Sequence, residues 1–470
     1  VDRRNFLKVA GGAAIGLAGF GGCAKRQFSS DSSLPNIVLI TADDLGWKDL
    51  ECYGNTQIKT PNIDRLAHEG IKFTSNFVVA SSCSPSRASI ITGQYPHTNG
   101  VDGLAHRYKL KQLKPFCTTL PSLLEKKGYN TAIAGKWHVA PYLPTSFYGY
   151  GERLSGFMPK DMWIKSMDKT LEFIRRNRDN RFYLEINYMN NHRDDSGEFE
   201  FDPEFPVNPD AIKVPEYMTL PNWPEVRLDL AKFYSQTMKM DRMIGQVLDE
   251  LDKQGLKENT ILAFVSDNGP PYPGNKMTCY DRGTGTPLII RWPARIKAGS
   301  EYSEMVSTID IMPTMLDAAG ISVPGTVQGK SLLGVLEGRV TKPAHDAVYS
   351  EMTYHVFYLP TRSVRTKHWK YIRNYSDIAK GLDQCNHMDW AHRLCELPNQ
   401  PWKKPRVKEE LYDLAADPHE QNNLAADPAY AKQLDTMRKM LDNNMAKTGD
   451  EYLHKPFTQD YDPKIYEKTS

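Results

Sequence analysis

The chain has 470 residues, 40% of them hydrophobic and 25% charged, with a formal net charge of +2. That composition supports a sizeable core, so disorder is not the default, and balanced charge without a long basic run shows no bulk electrostatic sign of nucleic-acid binding. No apolar run in the body of the chain is long enough to span a membrane, and the length suggests one large domain plus a smaller one.

The N-terminus reads as an address. Residues 2–8, DRRNFLK, precede a Gly/Ala-rich apolar run over 9–22. A positive flank before a short apolar segment is a secretory signal, and Arg3-Arg4 gives it a twin-arginine look. Cys23 after Gly21-Gly22 resembles a lipoprotein cleavage site, which keeps a lipid anchor open. Residues 1–34 are therefore expected to be signal and linker, with the protein exported to the periplasm or outer membrane of a bacterium.

Four short apolar runs read as strands buried on both faces: 36–41 (NIVLIT), 131–137 (TAIAGKW), 181–189 (RFYLEINYM) and 260–269 (TILAFVSDNG). Helical patterns lie between them, at 119–128 and at Phe233, Thr237, Met240, Ile244, Val247 and Leu251, each ending at a glycine. The alternation predicts an α/β sheet with helices on both faces, and such sheets place ligands beyond the carboxyl ends of their strands. Each of the four runs delivers charged or polar side chains there. Beyond about residue 338 the texture changes. Strands are expected within 367–374 and at 409–414, a helix over 427–445 and a loose tail after 452. The division expected is a catalytic domain over 35–344 and a C-terminal α+β subdomain over 345–470.

Asp43-Asp44 and Asp267-Asn268, each closing a strand, form a hard-oxygen set suited to Ca²⁺ or Mg²⁺ rather than zinc. The seven cysteines show no zinc spacing. Cys385 and Cys395 are equally readable as a local disulfide or as two thiols. Cys83 stands apart in SCSPSRASIITG, residues 82–93. Pro85 fits the first turn of a helix, so Cys83 is expected at a helix N-terminus, activated by free N–H groups and the dipole. Arg87 adds a fork of donors for an anion.

CSPSRASIITG resembles the signature of the type I sulfatases, and the resemblance extends over nearly all of the mature chain. The sulfamidase (heparan N-sulfatase) group is the nearest within that family, through residues 81–93, 120–139, 266–276, 362–374 and 410–425. The resemblance implies an alkaline-phosphatase-like fold and a sulfatase acting on sulfated glycans. It further implies that a separate maturation enzyme oxidises Cys83 to formylglycine, and that Asp43, Asp44, Asp267 and Asn268, together with the side chain at Cys83, hold Ca²⁺. Arg87, Lys136 and His138 match residues that hold the hydrated aldehyde and the sulfate. Lys276 lies across the sulfate, Asp267 takes the attacking hydroxyl's proton, and His192 protonates the leaving group. Arg282 and His355 are candidate substrate contacts. The sulfamidase group has arginine at the place of Lys276 and histidine at that of Met189, so N- and O-sulfate both stay open. The rivals are a phosphonate or phosphodiester hydrolase of the same superfamily and a non-catalytic glycan-binding lipoprotein.

Overall fold

The computed structural model describes residues 34–106, 111–154, 162–355, 358–377, 388–397 and 405–458. The expected signal, Cys23 and Cys385 lie outside them. In chain order the strands are β1 (Asn36–Ala42), β2 (Ile71–Phe73), β3 (Asn76–Phe77), β4 (Asn130–Gly135), β5 (Glu152–Arg153), β6 (Phe182–Asn187), β7 (Thr260–Ser266), β8 (Leu288–Arg291), β9 (Ser300–Tyr302), β10 (Val306–Ser307), β11 (Val348–Tyr354), β12 (Tyr358–Arg365), β13 (Trp369–Asn374) and β14 (Glu409–Asp413).

The large sheet runs β5-β4-β6-β1-β7-β8-β2-β9. Its centre, β4-β6-β1-β7, is parallel, and the antiparallel β8 makes the sheet mixed. β1 shows why an unbroken apolar run is needed there. Val38, Ile40 and Ala42 pack on one face with the long helix Pro224–Lys253, while Ile37 and Leu39 pack on the other with Ile90, Met312 and Met315. Helices cover both faces, so both alternating rows of side chains are buried.

β11 to β14 form a separate antiparallel sheet. The helix Ala431–Thr448 lays Leu434, Met437, Leu441 and Met445 with Val364, Tyr371 and Leu411. The opposite face, through Met352, Leu359, Ile372 and Tyr412, packs on Met277, Cys279 and Tyr280. A large mixed sheet between helices, joined by a smaller antiparallel sheet with its own helix, is the α/β architecture expected. The smaller sheet thus braces the loop that carries Lys276. Among the described residues no helix is long and apolar enough to cross a membrane.

Candidate active site

The parallel strands bring their carboxyl ends together. β1 delivers Asp43 and Asp44, β4 delivers Lys136 and His138, the turn after β6 delivers His192, and β7 delivers Asp267 and Asn268. The approach of β4 to β6 requires Gly135, whose φ is +85° and where a Cβ would sit 2.1 Å from the Asn187 carbonyl oxygen. Asp44 is held in the left-handed region at φ 60°, with its N–H donating to Asp267 Oδ1 at 3.2 Å. Non-glycine residues rarely adopt that backbone, and such strain gathers at functional sites.

Cys83 opens the helix Cys83–Thr92, which follows the N-cap residue Ser82 and is buried along its whole length. Ser84 Oγ donates to the His138 carbonyl at 2.6 Å and accepts from the Ala105 N–H at 3.1 Å. The Met277 N–H donates to the Ser81 carbonyl at 2.9 Å, which docks the Lys276 loop against the same turn.

The charged groups interlock. Lys136 Nζ donates to Asp43 Oδ2 at 2.5 Å. Arg87 Nε donates to Asp267 Oδ2 at 2.7 Å, and its Nη2 lies 3.5 Å from Asp43 Oδ2. Lys276 Nζ reaches Asp44 Oδ1 at 2.8 Å. Cys83 Sγ lies 3.5 Å from Asp43 Oδ1. All of these side chains are buried. Burial opposes charge on Lys136 and Arg87, but the adjoining carboxylates outweigh it and hold both groups protonated.

The cluster fits a hard divalent cation. Oxygens of Asp43, Asp44 and Asp267 lie within 4.8 Å of one another. The Asn268 Oδ1, also buried there, has no hydrogen-bond partner. Burial, with Asp43 and Asp267 close by, pushes Asp44 up to about 7 despite Lys276. Carboxylate and amide oxygens suit Ca²⁺ or Mg²⁺, and the softer donors of Cys83 and His192 also lie within 4.8 Å of Asp43. Three carboxylates face Arg87, Lys136 and Lys276, so a divalent cation would leave the site two charges positive, suited to a sulfate ester.

Both histidines are neutral. Burial first, then Lys136, hold His138 well below its usual range and bring His192 down to about 3. His192 Nδ1 donates to the Arg193 carbonyl at 2.6 Å; a carbonyl only accepts, so Nε2 is the basic nitrogen. A bound anion, opposing the lysines, raises its proton affinity. One expectation is corrected. The Cys83 thiol is not activated: burial pushes its pKa far up, and Lys136 and Lys276 do not compensate. As a cysteine it is a poor nucleophile.

The other two expected residues sit at the margins. Arg282 donates Nε to the Gly274 carbonyl at 2.7 Å and Nη1 to the His419 carbonyl at 2.7 Å, which steadies the loop before Lys276. His355 Nδ1 is 2.8 Å from Ser82 Oγ, beside the start of the Cys83 helix. Sequence reasoning passed over His106, whose Nδ1 lies 2.5 Å from His138 Nε2 with the rings stacked at 4.7 Å. It also passed over Arg193, buried and bidentate to Asp229 at 2.9 and 2.6 Å. Both contacts join segments distant in sequence, and no local pattern signals them.

The comparisons agree with this geometry. The family model described as Sulfatase matches residues 35–321, and one described as N-sulphoglucosamine sulphohydrolase, C-terminal, matches residues 274–389. The chain is 31% identical to the N-sulphoglucosamine sulphohydrolase of Homo sapiens, over 90% of this chain and 92% of that one. It is 30% identical to an ulvan-active sulfatase of Formosa agariphila, over 90% of this chain and 82% of the relative. A protein solved in complex with its substrate D-glucosamine-2-N,6-O-disulfate superposes with a TM-score of 0.68, over 89% of this chain and 99% of that one, and at 23% identity shares the fold. With the match to more than half its length, and the cationic and carboxylate groups gathered round Cys83, the chain belongs to the sulfatase family and is a sulfuric ester hydrolase.

Proposed function

We propose that this enzyme removes sulfate from a sulfated glycan of the glycosaminoglycan or ulvan class, using formylglycine made from Cys83 and Ca²⁺ held by Asp43, Asp44, Asp267 and Asn268. The observation that carries the reading is the convergence of Arg87, Lys136 and Lys276 with three carboxylates on the Cys83 side chain. Formylglycine would supply the oxygen nucleophile that attacks sulfur, and Ca²⁺ would supply positive charge to the sulfate oxygens. Arg87, Lys136 and Lys276 orient the ester and stabilise charge that shifts onto its oxygens, the largest contribution in such transfers. Asp267, already an acceptor for Arg87, takes a proton from the nucleophile. His192 Nε2, which takes up a proton once the anionic substrate offsets the lysines, delivers it to the departing oxygen or nitrogen. The buried walls exclude bulk water.

The likeness to N-sulphoglucosamine sulphohydrolase, including its C-terminal part, favours N-sulfoglucosamine among the substrates. Lys276 and Met189, where the sulfamidase group carries arginine and histidine, favour an O-sulfate. Residues 35–344 are read as the catalytic domain and 345–470 as a subdomain that braces it, in a protein exported by a bacterium after a maturation enzyme has acted. The test is mass spectrometry of the residue 83 peptide, then desulfation of defined N- and O-sulfated oligosaccharides. Release of sulfate by aldehyde-bearing protein is expected. A clear preference for phosphonate diesters would overturn the reading.

A further inference from the structure

A cavity of about 190 Å³ opens where the loops after β1 and β7 meet the far end of the C-terminal sheet. Liquid water occupies about 30 Å³ per molecule, so this is room for about six waters or a single sugar ring. None of the residues placed in catalysis above lines it. It is nonetheless close to them: Gly46 lines the cavity two residues after Asp44, and two Cα steps span no more than about 8 Å.

Three features give the cavity a preference. Trp47 and Tyr217 form aromatic wall, and aromatic faces with a few placed polar groups typify small-molecule sites. The charge is positive and not cancelled. Among the described residues Lys48 has no carboxylate in ion-pair contact, and its Nζ stands 5.2 Å from the centre of the Tyr217 ring. Arg282 spends its donors on the Gly274 and His419 carbonyls and lies 4.4 Å from the Tyr280 ring centre, without a carboxylate partner among the described residues. Asp281, by contrast, is matched by Arg365 at 3.0 Å and Lys370 at 2.9 Å. Three cations, Lys48, Arg282 and Arg365, line the cavity against two carboxylates, Asp281 and Glu420. The third feature is Glu420 itself. It is buried at φ 54°, its Oε2 accepts from the Asp281 N–H at 2.6 Å, and its Oε1 has no hydrogen-bond partner, the Lys370 ammonium standing 3.9 Å away. With the lysine beyond hydrogen-bond range, that buried oxygen on the cavity wall can still accept from whatever fills the space.

We propose that this cavity is a second glycan site, taking one anionic sugar ring stacked between Trp47 and Tyr217, with its sulfate or carboxylate on Lys48 and a hydroxyl donating to Glu420. The inference rests on the glycan reading above and extends it to a non-catalytic subsite. The test is calorimetric titration of a Cys83→Ala background, which cannot cleave, with a sulfated oligosaccharide. Adding Lys48→Ala is expected to weaken binding on the order of ten-fold, the effect of one charge-assisted hydrogen bond, and Lys48→Arg is expected to restore it. Unchanged affinity in the Lys48→Ala protein would overturn the proposal. The same titration with the desulfated, uronate-bearing oligosaccharide names the anion: a Lys48 effect that vanishes assigns sulfate, and one that persists assigns carboxylate. Failure of the glycan reading itself would show separately, as aldehyde-bearing wild type that cleaves small aryl sulfates but no sulfated sugar.

Discussion

Replacing Arg193 by methionine separates the worth of a buried charge pair from that of the packing round it. The guanidinium and the Asp229 carboxylate are almost fully enclosed, at 0% and 1% side-chain exposure. Arg193 also donates to the Gly197 carbonyl at 2.9 Å and the Pro271 carbonyl at 3.2 Å and lies over Phe199 at 4.1 Å. Arg193→Met leaves the buried Asp229 carboxylate without its ion-pair partner, a loss of about 3–5 kcal/mol. The two carbonyls add ~2 kcal/mol. The sum is a large fraction of the 5–15 kcal/mol typical of a folded domain. Methionine fills much of the space, so packing contributes little of it. The double variant Arg193→Met/Asp229→Leu removes the orphaned charge and is expected to recover more than half. The assay is the urea midpoint followed by tryptophan fluorescence for wild type, single and double variants. A double variant as weak as the single would refute the reasoning, because the loss would then come from shape and not from charge. His192 leans on the main-chain carbonyl of residue 193, so variants that fold are expected to keep most of their turnover.

Cys83→Ala is expected to abolish turnover of aryl sulfates while leaving the urea midpoint near that of wild type, since a thiol of this kind is replaced by a methyl with a small cavity. Chelation is expected to remove activity and added Ca²⁺ to restore it, with Asn268→Ala raising the Ca²⁺ needed for half-activity by on the order of ten-fold or more. His97 gives a pH dependence. Its Nδ1 is 2.5 Å from Glu351 Oε2, a contact between the helix Pro96–Asn99 and β11. Burial alone would lower its pKa, but Glu351 and Asp450 outweigh that and raise it above 6.5. The stability it contributes is therefore full below about pH 6.5 and fades as the pH climbs through the raised value. His97→Gln is expected to cost ~1–3 kcal/mol at pH 5.5 and clearly less at pH 9.5, read as the gap between the two urea curves; an equal gap at both would rule out the charged contact.

The sequence exposed the parallel centre of the fold because those strands are buried on both faces and so are apolar without interruption. Residues 36–41 and 260–269 fall on β1 and β7 with errors only at the ends. The long helix was legible from Phe233 onward but begins at Pro224, where the exposed Pro224, Glu225 and Leu228 blur the period. β2, β9 and β3 are two or three residues long, too short for any periodicity. β11 and β12 escaped notice because their buried faces are partly polar: Ser350, Glu351, Thr361, Arg362 and Ser363 are all enclosed and satisfied by hydrogen bonds or ion pairs. Asp43, Asp267 and Lys136 could be picked out because each closes a strand of one sheet. His106 and Arg193 could not, since their importance lies in contacts that exist only once the chain is folded.

The helix that begins at Cys83 presents no face to solvent, and Cys83 itself is 1% exposed. An oxidising enzyme that must grip the CSPSR segment therefore has access only while that stretch is still extended. On the proposed reading, conversion would compete with collapse, and molecules that close first would keep their thiol. The active fraction of any preparation is then a record of how the chain was made.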